Sequence, residues 1–339
     1  MKRKDLNVSR LKNIIAKDKK ISEIYSKFKS KILKYKNQGP FVVGVSGGPD
    51  SMALAALSNF LKHEKKNRFF FVLIDHAIRK NSHQEALKVK KILKKNNISL
   101  ETLRNRKKIK NNIQKNARDI RYKLLLKYCK KNKAKSILVA HHQDDQVETF
   151  LIRLSRGSGI EGLSSMSEKT KLNGVNLIRP LLDFNKQQLI YISKKIFGKI
   201  LKDPSNKDKK FLRTNIRELK GTLEKKGLDF DKIIRSIKNI STTKDAINFY
   251  VMRSIKKFVV FRNKETVIKL NLFRQEPDEI RFRIINEIIK KRTGSYYPPK
   301  SKKVLNLING FMSNRIKKRT LSGCIFERRK RFLYIFDEF

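Results

Sequence analysis

The sequence predicts an α/β protein: a Rossmann-like parallel sheet with helices on both faces, followed by a smaller, mainly helical α+β region. Three observations predict this. Short apolar runs at 41–45, 68–74, 136–140 and 176–182 have the length and β-branched or aromatic content of buried strands. Helix-forming stretches separate them, giving the β–α alternation of a parallel sheet. From residue 219 onward that alternation gives way to lysine-rich helical periodicity with only a few short strand-like runs. The implied organisation is a basic helical extension at 1–37, an α/β domain at 38–217 and a C-terminal domain at 218–339.

In chain order, Ile21, Ile24, Tyr25, Phe28, Ile32 and Leu33 form one apolar stripe with lysines opposite, a helix that packs on the main domain. The run Phe41-Val42-Val43-Gly44-Val45 is the first strand. Met52 to Leu57 begins the helix after it, and Ser46-Gly47-Gly48-Pro49-Asp50-Ser51 joins the two. The 68–74 run is a second strand that delivers Asp75, His76 and Arg79 to its end. Ser82 is placed to cap the next helix, with Glu85 completing a capping box. A long helix runs from 112 to 131 with Arg118 and Arg121 on one face. The 136–140 strand leads into His141-His142-Gln143-Asp144-Asp145-Gln146-Val147-Glu148 and another helix. Residues 156–163 form a glycine-rich, mobile loop, and Asn185 caps the helix after the 176–182 strand. In the C-terminal region, helices span 228–257, 279–291 and 304–312. A strand pair occupies 257–261 and 266–270, and a final hairpin turns around Arg328-Arg329-Lys330.

The chemistry is concentrated at two strand ends. In the first connection, Gly47 and Gly48 allow a sharp turn and close approach to a ligand, and the helix behind them offers unpaired N–H groups to an anion. Ser46 and Ser51 add hydroxyls, so the loop reads as a phosphate cradle. It lacks the lysine of the GxxxxGK[ST] loop. In parallel sheets ligands sit outside the carboxyl ends of the strands, which also brings Asp75 and His76 to the nucleotide. At the second strand end two histidines and three acids fall within eight residues. The spacing is not HExxH and no cysteines accompany it, which argues against a structural zinc site. The hard carboxylates suit Mg²⁺ shared with phosphates. They equally suit an ammonium group, since Asp145 and Glu148, at i and i+3, share a helix face.

Composition sets the outer limits. The chain has 339 residues, enough for two cores, and no apolar run long enough to span a bilayer. Its basic N-terminus has no apolar h-region, which reads as cytoplasmic. Cys129 and Cys324 give neither a disulfide framework nor a CxxC site. The formal charge is +53, from 83 Lys+Arg against 30 Asp+Glu, which points to a nucleic-acid partner. Lys, Asn and Ile share codons rich in A and T, so genome composition is a competing source for part of that excess.

The ordered series SGGPDS, DHAIR, NIQKNAR with Arg121-Tyr122, AHHQDDQVET, RGSG, IRPLL, DPSN and FLRTNIR resembles the catalytic domain of the tRNA(Ile)-lysidine synthase family of PP-loop enzymes. The resemblance is dense over 38–217 and weaker at Tyr297-Pro298-Pro299 and 320–324. It implies a ligase that uses ATP and Mg²⁺ to adenylate C2 of the wobble cytidine in a tRNA(Ile) with a CAU anticodon. The side-chain amine of free L-lysine then attacks C2 and displaces AMP. It implies that Ser46, Gly47, Gly48, Pro49, Asp50, Ser51, Asp75, His76 and Arg121 hold the nucleotide, and that Asp50 and Asp144 hold the metal. Asp50, His141, Asp145, Glu148 and Arg118 carry the chemistry. Asp145, Glu148, Arg156, Arg179, Arg213 and Arg217 bind substrate. The expected partners are the tRNA, gripped by the C-terminal domain at 218–339 as its tRNA-binding part, and free lysine, with no membrane and with a homodimer left open. The alternatives are another PP-loop tRNA-modifying enzyme, a thiolase, or a non-catalytic RNA-binding protein with a relic nucleotide fold. A thiolase needs a cysteine relay or an iron–sulfur site, which Cys129 and Cys324 are poorly placed to supply.

Overall fold

A computed structural model describes residues 13–35, 39–65, 68–78, 81–105, 113–198, 212–294 and 299–338. They form two compact units, Met1–Lys238 and Asn239–Phe339. The division falls beyond the boundary at 217 read from the sequence, because the helix Leu212–Lys225 runs through that boundary and the helix Phe230–Phe258 begins in the first unit.

The first unit is built on a six-stranded sheet in the order β3-β2-β1-β4-β6-β5. The strands are β1 (Phe41–Val45), β2 (Phe69–Asp75), β3 (Leu100–Arg104), β4 (Ser136–Leu138), β5 (Lys169–Leu172) and β6 (Val175–Ile178). All neighbours pair in parallel except β5, which returns antiparallel on β6. Alternate side chains enter opposite cores, as the period of a strand requires. Phe41, Val43, Val45, Phe71 and Leu138 join one core with α1 (Lys19–Leu33), α2 (Pro49–Lys65), α3 (Ser82–Lys95) and α7 (Lys186–Phe197). Val42, Val72 and Ile137 join the other, against Leu125, Tyr128 and Cys129 of α4 (Ile113–Lys131). The remaining helices of this unit are α5 (Gln143–Leu154), the one-turn α6 (Ile160–Leu163) and α8 (Leu212–Lys225). The expected α1 stripe is buried at Ile21, Ile24, Tyr25, Phe28 and Ile32.

Four local expectations need revision. β3 was not anticipated, and neither was β5, whose hairpin to β6 turns through Asn173 and Gly174, both at positive φ. Asn81 occupies the N-cap of α3 with no side-chain bond, so Ser82 is the first helical residue and not the cap. The 156–163 segment is not a loose loop. Arg153 Nη1 donates to Gly162 O at 2.7 Å and Ser165 O at 2.9 Å, while the Gln146 amide pairs with both the N–H and the C=O of Met166.

The second unit carries an antiparallel sheet, β7-β8-β11-β10-β9. Its strands are β7 (Val259–Phe261), β8 (Glu265–Lys269), β9 (Lys318–Leu321), β10 (Cys324–Arg329) and β11 (Phe332–Asp337). The expected 257–261/266–270 pair is β7–β8, and the expected hairpin is β10–β11, extended by β9. Phe326, Leu333, Ile335 and Ile268 share a core with the end of α9 (Phe230–Phe258), the short α10 (Leu272–Gln275), α11 (Asp278–Thr293) and α12 (Ser301–Met312).

Candidate active site

The strand order reverses between β1 and β4, the one place in this sheet where successive crossovers leave in opposite directions. In open α/β sheets a ligand sits in the crevice at such a reversal, outside the carboxyl ends of the strands. The SGGPDS connection follows β1 and the HHQDD segment follows β4, so the fold sets the two chemistry-bearing stretches on either side of that crevice.

The phosphate-type loop is organised by Ser51. Its Oγ accepts from Ser46 N and Gly47 N at 3.1 Å each, meets Ser46 Oγ at 3.1 Å and donates to Gly48 O at 3.0 Å. Gly47 has φ +90°, a conformation that an L side chain rarely adopts. Pro49, lacking an N–H, is suited to the first helical position, and Asp50 lies in the first turn beside the positive end of the α2 dipole. Ser51 is buried and turned into the loop as its brace, while Ser46 is exposed. Spacing had put both hydroxyls on the phosphates; the geometry gives Ser51 a positioning part.

Across the crevice His142 is 2 % exposed and caps α5, its Nδ1 accepting from Asp144 N at 3.2 Å. Asp145 Oδ2 accepts from His142 N at 3.0 Å, completing a capping box. His142 Nε2 lies 3.5 Å from Asp50 Oδ2 and 3.7 Å from Asp145 Oδ2, and so ties the two motifs together. Burial opposes charge on this imidazole, but Asp50, Asp145 and Asp144 around it bring its pKa above the ordinary histidine value. Asp145 is likewise held below the usual carboxylate range: burial pushes it up, and His142, His141 and Arg217 more than offset that. Spacing alone singled out His141, which is half-buried; the structural weight falls on its neighbour His142.

Glu148 is buried and forked by Arg217, which bonds Oε1 through Nε and reaches Oε2 through Nη2 at 3.2 Å. The same guanidinium lies 3.8 Å from Asp145 Oδ1. A cavity of about 220 Å³ beside this pair is lined by Asp144, Val147, Glu148, Lys186, Ile216, Arg217 and Phe230. Thus α5 and α8, far apart in sequence, present two acids and one arginine at a single place.

The other expected residues divide. Asp75 is buried at the end of β2, with Oδ1 accepting from Ala77 N at 3.0 Å and Oδ2 without a hydrogen-bond partner. His76 follows, both ring nitrogens lacking a hydrogen-bond partner. Burial lowers its pKa to about 4, reinforced by the Arg121 charge. Arg118 and Arg121 are exposed on α4, Arg118 over the Tyr122 ring at 5.2 Å. Arg156 is exposed beyond α5. Arg179 is 5 % exposed, and its Nη1 donates to Ser167 O at 2.8 Å and Thr170 Oγ1 at 3.2 Å. It braces the β5–β6 edge. Arg213 lies one turn before Arg217 on α8. Arg79, Tyr297, Pro298 and the 203–206 turn lie outside the described residues.

Among the described residues no group of three or more His, Cys, Asp and Glu side chains is arranged to hold a metal alone. A cation shared with phosphates fits better: Asp50 Oδ1 is a buried carboxylate oxygen with no hydrogen-bond partner, next to the loop. Cys129 and Cys324 are buried, and burial pushes their thiols up to about 12 and about 11. Neither is an activated nucleophile. Among the described residues no helix is long and apolar enough to cross a membrane.

A family model for the PP-loop domain matches residues 17–221, more than half of the chain, which makes this a PP-loop protein. The fold agrees: the U34-tRNA thiolase NcsA from Methanococcus maripaludis superimposes with a TM-score of 0.53 at 17% identity, covering 66% of this chain and 79% of that one. The sequence is more specific. The tRNA(Ile)-lysidine synthase of Wolbachia pipientis wMel is 36% identical over 86% of this chain and 68% of its own length. Those of Orientia tsutsugamushi (32%, over 88% and 69%) and Bradyrhizobium diazoefficiens (33%, over 74% and 72%) agree. The chain belongs to the tRNA(Ile)-lysidine synthase family, and is accordingly an ATP-using ligase.

Proposed function

We propose that this protein joins free L-lysine to C2 of the wobble cytidine in a tRNA(Ile) with a CAU anticodon, through an adenylated cytidine, with release of pyrophosphate and AMP. The single observation that carries this reading is the 3.5 Å approach of Asp50 and His142, which joins the phosphate loop to the acid-bearing helix across the switch point.

In the first step the loop amides and the α2 N-terminus hold the triphosphate, and the cytidine C2 oxygen attacks the α-phosphorus. An anticodon loop already presents its bases single-stranded, so little pairing energy opposes entry of the base. Asp50 and Asp144 are the residues that would hold Mg²⁺ with the phosphates; bound there, it supplies charge against the departing pyrophosphate. Arg118 and Arg121 of α4 are the cations assigned to the same charge.

In the second step the lysine amine must shed a proton, since its pKa is about 10.4 in water. His142 is committed to the α5 cap, so His141 is the imidazole assigned to accept it. Asp145 and Glu148 select the cationic substrate. Arg217 holds Glu148 in the ligand-free arrangement, so a substrate ammonium that reaches this acid competes with a guanidinium. The raised thiol pKa values of Cys129 and Cys324 disfavour the thiolase alternative. The test is nucleoside analysis of a CAU tRNA(Ile) transcript incubated with protein, ATP, Mg²⁺ and labelled lysine. The expected result is label in a single modified cytidine; label that never enters the RNA overturns the proposal.

A further inference from the structure

The α9 helix of the second unit carries apolar side chains where an amphipathic helix has polar ones. Its inner face buries Val251, Ser254, Ile255 and Phe258. On the outer face Phe249 is 75% exposed and Met252 50%, with Tyr250 beside them at 44%. Phe249 is the most exposed large hydrophobic residue among those described. Positions 249, 252, 253 and 256 recur at helical spacing, so Phe249 and Met252 share their face with Arg253 and Lys256, both exposed. Lys257 flanks this face and Asp245 is the carboxylate one turn earlier. Scattered exposed apolar residues need no explanation; an aromatic and a thioether side by side between cations do.

We propose that this face of α9 is a platform for an unpaired nucleotide of the RNA substrate, Phe249 stacking on the base and Arg253 and Lys256 meeting the flanking phosphates. The proposal rests on the reading that the substrate is a tRNA. Stacking on an aromatic ring with cations along the backbone is the usual chemistry of single-stranded nucleic-acid binding. Charge selects RNA over a second copy of this chain. Arg253, Lys256 and Lys257 outnumber the one flanking carboxylate, Asp245, in a chain of formal charge +53, which suits a polyanion better than another copy of the same basic chain.

The experiment measures the dissociation constant of a fluorescent CAU tRNA(Ile) transcript for the full-length protein over a series of salt concentrations. The double variant Phe249→Ala/Met252→Ala is expected to bind about tenfold more weakly, with the salt slope unchanged. Phe249→Tyr, which keeps the ring, is expected to stay within about twofold. Arg253→Gln and Lys256→Gln are each expected to reduce the salt slope by about one. Thermal unfolding should not move, since these side chains face solvent. Wild-type affinity in the double variant overturns the proposal. So does loss of a dimer in sedimentation at unchanged RNA affinity, which would assign the face to a second copy. If the wild-type protein forms no lysidine while the double variant still loses RNA affinity, the proposed reaction fails and the platform stands. Unchanged affinity in a protein that does form lysidine fails the platform alone.

Discussion

The two units differ in where their buried polar atoms without hydrogen-bond partners gather. Around the first sheet's carboxyl ends, Asp50 Oδ1, Asp75 Oδ2 and both His76 nitrogens are buried without hydrogen-bond partners. In the second unit Glu276 Oε2 and Asn286 Oδ1 are also without hydrogen-bond partners, but its ion pairs are matched: Arg292 forks Asp337 and Arg283 holds Glu279 at 2.7 Å, while Ser254 donates to Glu276 Oε1 at 2.7 Å. A buried polar atom without a partner costs roughly 1–3 kcal/mol. A fold keeps several at one place when a ligand completes them. The cluster at the first sheet's carboxyl ends supports the proposal that the chemistry lies in the first unit.

The most severe way to break this contrast is to remove charge at the crevice without removing its hydrogen bonds. Asp145→Asn keeps an oxygen for His142 N–H, so the cap survives. Lysine-dependent turnover is expected to fall by roughly a hundredfold or more while ATP binding persists. Loss of ATP binding instead, read by calorimetry, would reassign Asp145 to the metal.

Next comes the loop brace. Ser51→Ala deletes the acceptor shared by Ser46 N and Gly47 N. About 1–2 kcal/mol of stability and about a tenfold rise in the KM for ATP are expected, the latter from steady-state pyrophosphate release.

His76 sharpens the comparison through pH. Its folded pKa, about 4, lies below the unfolded value of about 6.5, so the unfolded chain binds the proton more readily. Its share of stability is complete above pH 6.5 and is lost as pH falls toward 4. His76→Asn should flatten the acid limb of a stability–pH curve relative to wild type; parallel curves would show that the ring is solvated in the folded protein.

The smallest expected effect tests the thiolase alternative. Cys129→Ala removes a sulfur from a packed core, at about 1 kcal/mol, and lysine incorporation should continue. Abolished turnover with an intact fold would restore a cysteine mechanism.

What the sequence disclosed, and what it hid, follows the range of the interactions. SGGPDS and HHQDD are local: a strand end, a turn and a helix start lie within a dozen residues, and their roles can be read from composition and spacing. The Asn173-Gly174 turn was equally local, and the β5–β6 hairpin was there to be found in that dipeptide. β3 was harder, because its Leu-Glu-Thr-Leu-Arg run is mixed in polarity and lies between lysine-rich stretches. The contacts that remained hidden are long-range. Nothing in spacing says that Arg217 forks Glu148, or that Arg179 turns inward to the Ser167 carbonyl and the Thr170 hydroxyl. The glycines at 157, 159 and 162 read as mobility, but the segment holds a helical turn at Ile160–Leu163, Arg153 of α5 bonds Gly162, and Arg153 and Gln146 fix the residues just after it, Ser165 and Met166.

The central claim, an ATP-splitting site at the β1–β4 switch point that acts on RNA before lysine, is tested most directly by single-turnover release of pyrophosphate and AMP. With CAU tRNA(Ile), ATP and Mg²⁺ but no lysine, the account predicts a burst of pyrophosphate of about one per active site, and AMP only once lysine is added. Pyrophosphate that never appears, or that appears at the same rate without the tRNA, would contradict it.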